Sequence, residues 1–276
     1  MAESIVSAAG TGVERIAEAF ESARANGRRA ALMPYLMGGF PDVETSRRIG
    51  LAYAEAGADL IELGVPFSDP LADGPVIHAA GTAALRAGVR LHDVLEVGRA
   101  VAERVPVVVM CYANLILARG LERFADALLD VGASGLIVPD LPLEEAAATL
   151  SACDERGLAL VPLVAPTTPD KRMARIGAQA RGFLYTVSLT GTTGERAAVQ
   201  DGLAGVVTRA AACTSVPVAV GFGISTPAQA AAAADAGADG VIVGSRLVRA
   251  AGEADDPVGA VSVAVRELSE GLATRL

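Results

Sequence analysis

The sequence predicts a (β/α)8 barrel, and three observations predict it. Eight short, fully apolar runs alternate with stretches of helical composition. The junction from helix to strand recurs as a near-repeat, and 276 residues suit one such domain.

The apolar runs fall at 31–37 (ALMPYLM), 59–63 (DLIEL), 106–110 (PVVVM), 135–138 (GLIV), 158–163 (LALVPL), 182–186 (GFLYT), 217–220 (PVAV) and 239–243 (DGVIV). Continuous rather than alternating hydrophobicity is what a parallel strand buried on both faces requires. The Ala-, Leu-, Glu- and Arg-rich segments 43–56, 119–131, 142–156 and 200–213 have the composition of amphipathic helices. Residues 12–26 read as an extra N-terminal helix and 257–274 as the last one. The repeat is Ala-Gly-Ala-Asp-Leu-Ile at 56–61, Val-Gly-Ala-Ser-Gly-Leu-Ile at 131–137 and Ala-Gly-Ala-Asp-Gly-Val-Ile at 236–242. In each, a glycine closes a helix in the left-handed conformation and a buried strand begins after a short turn. Val-Pro-Val at 105–107 and 216–218 opens a strand where the missing proline N–H is tolerated. An open doubly wound sheet is the alternative, but no G-x-G-x-x-G follows the first strand. No linker-like run divides the chain, so a single domain over 1–276 is expected, with its core at about 28–270.

Composition narrows the function. With 52% hydrophobic residues and no apolar run of the ~20 residues that a membrane helix needs, the chain reads as soluble and ordered. A net charge of −9 argues against nucleic acid and against an anionic membrane surface. It leaves an anionic substrate open, because backbone N–H groups can hold a phosphate locally. Three scattered cysteines (111, 153 and 213) and no secretory signal fit a reducing cytoplasm. Lys171 is the one lysine among 23 basic side chains, and His78 and His92 are the two histidines. Imine chemistry needs a lysine near a strand end, and a metal-assisted aldolase needs clustered ligands. Neither pattern is present, and no metal site is expected. The Arg28-Arg29 and Arg47-Arg48 pairs read as solvated surface.

In a barrel, chemistry gathers where strands end. After the second strand runs Glu62-Leu-Gly-Val-Pro-Phe-Ser-Asp-Pro-Leu-Ala-Asp73-Gly-Pro75, a long, proline-stiffened loop of the kind that carries function. Glu62 is a carboxylate inside an apolar strand; read structurally, it would face outward to an arginine. Asp73 could equally cap the helix that opens at Gly74-Pro75. A second group comprises the loop at 188–195, Gly221-Phe-Gly223-Ile-Ser225 and Gly244-Ser245, which follow strands six to eight. Small residues there let N–H groups close on an anion, with a helix N-terminus behind them. Tyr35, Tyr112, Asn114, Asp140 and Tyr185 are further rim candidates.

These motifs resemble the tryptophan synthase alpha chain family. The likeness extends through Tyr112-Ala-Asn114-Leu, Pro139-Asp140-Leu-Pro142, the Thr-Gly-Thr-Thr-Gly194 loop, Gly221-Phe-Gly-Ile-Ser225 and Val243-Gly-Ser245, over residues 15–270. It implies reversible cleavage of indole-3-glycerol phosphate to indole and glyceraldehyde 3-phosphate. By position, Glu62 matches the family's proton-shuttling carboxylate and Asp73 the acid that engages the indole N–H. Gly194, Gly223, Gly244 and Ser245 match phosphate contacts. Tyr112 and Tyr185 match the indole pocket and barrel mouth, and Thr193 a lid residue that meets the Asp73 loop. The family's partner is a beta chain in an αββα tetramer, and the pyridoxal phosphate belongs to that chain, so no cofactor is expected here. Leu189 and Met37 depart from the arginine and threonine of other members, which bears on the lid rather than the reaction. A stand-alone indole-3-glycerol-phosphate lyase, a sugar-phosphate isomerase or epimerase, and a catalytically silent activating subunit are the rival readings.

Overall fold

The computed structural model describes residues 10–187, 196–221 and 223–274. Helix α1 (Gly12–Ala25) precedes strand β1 (Ala31–Met37), and α2 (Val43–Glu55) leads into β2 (Ile61–Gly64). Helices α3 (Pro75–Arg86) and α4 (Leu91–Ala102) then precede β3 (Val107–Met110). Two further helices, α5 (Ala113–Arg119) and α6 (Leu121–Asp130), reach β4 (Gly135–Ile137). A 3-10 turn at Leu143–Glu145 and α7 (Ala147–Asp154) precede β5 (Ala159–Val161) and β6 (Leu163–Val164). The chain finishes with α8 (Asp170–Gly177), β7 (Leu184–Val187), α9 (Arg196–Ala211), β8 (Val218–Gly221), α10 (Pro227–Asp235), β9 (Gly240–Val243), α11 (Ser245–Glu253) and α12 (Pro257–Gly271). No described helix is long and apolar enough to cross a membrane.

Among the described residues the strands pair in parallel, in the order β5-β4-β3-β2-β1-β9-β8-β7-β6. The expected fifth strand at 158–163 is therefore two pieces. Pro162 breaks it, because a proline has no N–H to give the ladder. The piece before it pairs with β4 and the piece after it with β7, while the Pro162 carbonyl accepts from Tyr185 N at 3.0 Å. One interrupted strand thus joins the two edges of the sheet into a barrel. Other boundaries shift too. The second strand starts at Ile61, so Asp59 lies ahead of it, and the segment 119–131 belongs to two helices that meet at Gly120.

Side chains alternate between two layers, as the pleat requires. Outward residues such as Leu32, Leu36, Ile61, Leu63, Val107 and Val109 pack under the helices. Ala31, Met33, Leu60, Val108, Ile137 and Val161 fill the lumen together with Ile16, Phe20 and Ala23 of α1. The predicted N-terminal helix is thus a plug for the lower end of the barrel, with the Phe20 ring 6.0 Å from Phe183. Its start is fixed by a capping box, in which Thr11 and Glu14 satisfy each other's N–H groups.

The repeat has a physical purpose at this lower end. Gly57, Gly132 and Gly237 do adopt positive φ, at 106°, 73° and 95°. In the first and third, the aspartate two residues later then clamps the neighbouring strand. Asp59 donates its N–H to Leu32 O and accepts Leu32 N–H on Oδ2 at 2.8 Å. Asp239 does the same with Val218, at 2.9 Å. Each is paired with an arginine, Arg28 with Asp59 at 2.8 Å and Arg24 with Asp239 at 2.6 Å. Arg28 is therefore not solvated surface as its sequence neighbourhood suggests. It bridges Asp59 and the Gly57 carbonyl with its side chain 17% exposed.

Replacing Asp59 with Ala leaves the half-buried Arg28 without its carboxylate and the Leu32 N–H without its side-chain acceptor, so it should cost about 2–4 kcal/mol. Asp239→Ala, whose ion pair is more exposed, should cost about 1–2 kcal/mol. Urea unfolding midpoints of the two variants check the order.

Candidate active site

The inward positions change character toward the upper end of the barrel. Glu62 shares its strand face with Leu60, and in register it lies between Tyr35 of β1 and Val108 of β3. It faces the lumen, not an arginine outside. The residue is 2% exposed, and its Oε2 has no hydrogen-bond partner among the described residues. Burial pushes its pKa up to about 8, and the nearby Asp73 adds to the rise. At neutral pH this group is mostly protonated.

Asp73 sits at the end of the β2–α3 loop. The cap of α3 is Gly74, with Pro75 in the first turn, and no side chain caps that helix. The capping role open to Asp73 from sequence is therefore not the one it takes. Instead its Oδ1 accepts from the Tyr112 hydroxyl at 3.1 Å. Tyr112 in turn takes the Ala72 N–H at 3.0 Å and stacks on Phe67, with ring centroids 5.0 Å apart. Burial raises the Asp73 pKa, while the Tyr112 hydrogen bond and the charge of His78 oppose that rise. The two carboxylates thus stand in different environments. One is buried and unpartnered among the described residues, the other held by the phenol of Tyr112.

Two glycines make the space. A Cβ at Gly64 would lie 1.9 Å from the Tyr35 hydroxyl, and one at Gly221 would lie 2.3 Å from that of Tyr185. Each tyrosine reaches over the adjacent strand only because that strand has no side chain there. The result is a cavity of about 310 Å³ lined by Glu62, Asp73, Tyr35, Tyr185, Ile77 and Met110 at one end. Gly223, Gly244 and Ser245 line its other end. There Gly223 has φ +77° and Gly244 is the N-cap of α11, with Ser245 its first residue. The first-turn N–H groups of a helix have no intrahelical acceptor, and they carry the positive end of its dipole. An anion is what this end can hold.

Of the residues singled out from sequence, the structure therefore brings together Tyr35, Glu62, Asp73, Tyr185, Gly223, Ser225, Gly244 and Ser245. Tyr112 acts through Asp73. Asp140 is used elsewhere, accepting the Ala113 N–H that opens α5 at 2.9 Å. Met37 is packed among Tyr35, Ile77, Ala80 and Val248, with the Tyr35 hydroxyl 4.0 Å from its sulfur. Thr193, Gly194 and Leu189 lie outside the described residues. Sequence reasoning missed Ile77, Met110, Arg246 and Arg249 at the cavity. Arg249 stands one helical turn beyond Ser245, a spacing from which it could have been found.

Comparison with known proteins identifies the family. The family model for the tryptophan synthase alpha chain matches residues 20–273. The chain belongs to the tryptophan synthase alpha chain family. It is 49% identical over 259 residues to the tryptophan synthase alpha chain of Synechococcus elongatus, covering 93% of this chain and 96% of that one. Against the alpha chain of Prochlorococcus marinus it is 50% identical over 236 residues, 85% of this chain and 86% of the other. Among solved structures, a tryptophan synthase chain of Mycobacterium tuberculosis superposes with a TM-score of 0.86 at 42% identity, covering 94% of this chain and 98% of that one. A chain of the α2β2 tryptophan synthase complex of Pyrococcus furiosus gives 0.81 at 36% identity, covering 86% and 97%. Membership in the tryptophan synthase alpha chain family places the chain among the lyases of tryptophan synthesis.

The environment of Glu62 has a consequence for stability. Its folded pKa of about 8 lies above the ordinary value of 4.5, so between these values the folded state holds the proton that the unfolded state has released. Stability contributed by the protonated form is present below the lower value and is lost as pH rises through the upper one. Relative to Glu62→Gln, the wild type should lose about 1 kcal/mol or more between pH 5 and pH 9. Urea unfolding of both proteins across that range tests this. A difference that stays constant with pH would mean that Glu62 is ionised in the fold.

Proposed function

We propose that the chain catalyses the reversible retro-aldol cleavage of indole-3-glycerol phosphate to indole and glyceraldehyde 3-phosphate. The observation that carries this reading is Glu62, buried and unpartnered, facing a cavity that it shares with the tethered carboxylate Asp73. The opposite end of that cavity is a helix start fit for a phosphate.

An intact indole ring is a poor leaving group, since breaking the bond at C3 would leave a carbanion there. Glu62, neutral at pH 7, gives its proton to C3. The positive charge then appears at N1–H, where the Asp73 carboxylate accepts a hydrogen bond and stabilises it. The Glu62 carboxylate takes the proton of the adjacent glycerol hydroxyl. The carbon–carbon bond breaks, its electron pair returns to the ring, and indole and the aldehyde separate with Glu62 again protonated. General acid–base catalysis suits a carboxyl whose pKa lies near the working pH. The phosphate held by Gly223, Gly244 and Ser245 fixes the glycerol chain against the two carboxyl groups, so binding energy becomes orientation. These steps use only side chains and N–H groups of this chain. The Thr193 and Gly194 positions belong to the same reading as lid and phosphate contacts.

A beta chain carrying pyridoxal phosphate is the proposed consumer of the indole, in an αββα assembly in the cytoplasm. The structural likeness to a chain of an α2β2 complex supports that partner over a stand-alone lyase. Leu71, 88% exposed on the loop that carries Asp73, is the kind of apolar group that a partner would cover.

Indole release from indole-3-glycerol phosphate, measured with and without added beta chain, tests the reading. Wild type should turn over slowly alone and faster with the partner. Glu62→Gln should lower turnover by about 100-fold or more while KM changes little, and Asp73→Asn by about tenfold or more. Near-normal turnover of Glu62→Gln would remove the assignment.

A further inference from the structure

The two loops at the anchoring end come from different strands, yet an anion needs their N–H groups to converge. Arg246, the second residue of α11, is the side chain that ties them. Its Nη1 donates to the Ser225 carbonyl at 3.0 Å, and its Nη2 is paired with Glu267 of α12. Ser225 is further pinned by Gln229, whose Oε1 accepts the Ser225 N–H at 2.9 Å and its hydroxyl at 3.0 Å. The Gly223–Ser225 loop is therefore held from one side by the start of α10 and from the other by a guanidinium rooted in α11. Arg246 also lines the cavity, with only 26% of its side chain exposed. Arg249, also at this end, is 54% exposed and among the described residues is paired with Glu253, at 4.0 Å.

We propose that Arg246 is a positioning residue for the phosphate of the substrate, locking the Gly223–Ser225 loop to the first turn of α11 so that both present N–H groups to one phosphoryl group. The inference rests on the reading of this cavity as a phosphate-anchored site. Glu267 is part of the device, since it fixes which way the guanidinium points. A guanidinium held by a carbonyl on one branch and a carboxylate on the other cannot swing away as a lysine can. Its charge also offsets that of Asp73, which lines the same cavity.

The test uses the full chain with saturating beta chain and follows two readouts. One is the split of KM against kcat for indole-3-glycerol phosphate. The other is competitive inhibition by glycerol 3-phosphate, which carries the phosphate and no indole. Arg246→Ala should raise KM and weaken the glycerol 3-phosphate inhibition by a common factor of about tenfold or more, with kcat within about threefold. Arg246→Lys should recover part of this, and Glu267→Gln should shift both in the same direction by a few-fold. The effects of Arg246→Ala and Glu267→Gln on KM should be less than additive, because they dismantle one contact. If Arg246→Ala folds poorly, Glu267→Gln alone carries the test. A variant that loses thermal stability or kcat while KM and inhibition stay at wild-type values overturns the proposal. A wild-type chain that binds no glycerol 3-phosphate and releases no indole would instead overturn the function on which it rests.

Discussion

The site depends on a single placement, a carboxyl group on the inward face of a parallel strand with nothing to pair it. An ionised carboxylate in that position would bear a desolvation penalty far larger than a surface ion pair returns, so the group keeps its proton. Every neighbour contributes to this. Leu60 lies below it on the same face, Tyr35 and Val108 flank it in register, and Asp73 supplies a second negative charge that disfavours ionisation. A weak acid at neutral pH thus follows from its surroundings, without any special residue. The same surroundings make it a hazard to stability at high pH. Such a conflict is common where local rules are broken for chemistry.

Keeping that group buried requires the barrel to be shut everywhere but the top. Below, α1 closes the lumen with Ile16, Phe20 and Ala23. Around the circumference, the broken strand at Pro162 closes the ring between β4 and β7. Above, the lumen opens because inward positions lose bulk as the strands end, at Gly64, Gly221 and Gly244. The tyrosines at 35 and 185 lean over two of these gaps. Those vacancies are what turn a packed core into a cavity. An alanine at either 64 or 221 would meet a phenol at less than van der Waals distance, so the substitution would reshape the pocket before it strained the backbone.

Much of this was legible in the sequence, and the failures share a cause. Eight apolar runs and a glycine-led repeat give away a barrel because they are local patterns with a fixed period. The break at Pro162 was hidden, since an apolar run reads the same whether one strand or two lie within it. Arg28 was misread because a pair of arginines carries no sign of direction. Only the Asp59 clamp, set by the turn after α2, shows that it points inward. Asp73 looked like a helix cap because Gly74-Pro75 follows it, while its actual partner, Tyr112, is 39 residues away. Arg246 went unseen for the same reason, with Ser225 and Glu267 each 21 residues distant. Chemistry-bearing residue types at strand ends can be read from sequence, whereas the partners that aim them belong to the topology.

The placement of the two ends of the cavity is itself a consequence of strand order. In the barrel, β1 lies between β2, which carries Glu62, and β9, which ends at the α11 start. The carboxyl group and the anchoring helix are thus two strand spacings apart along the sheet, about 10 Å. That separation suits a ligand with an acid-labile centre at one end and a phosphate a short carbon chain away. It also answers the electrostatic difficulty of a chain with net charge −9 and two carboxyl groups in its cavity. On the proposed reading, a dianion would be admitted because one of those carboxyls is neutral and because the far end offers backbone N–H groups, a helix dipole and Arg246. On the proposed reading, an ionised Glu62 would repel the phosphate ligand, so protonation of Glu62 would serve binding as well as catalysis.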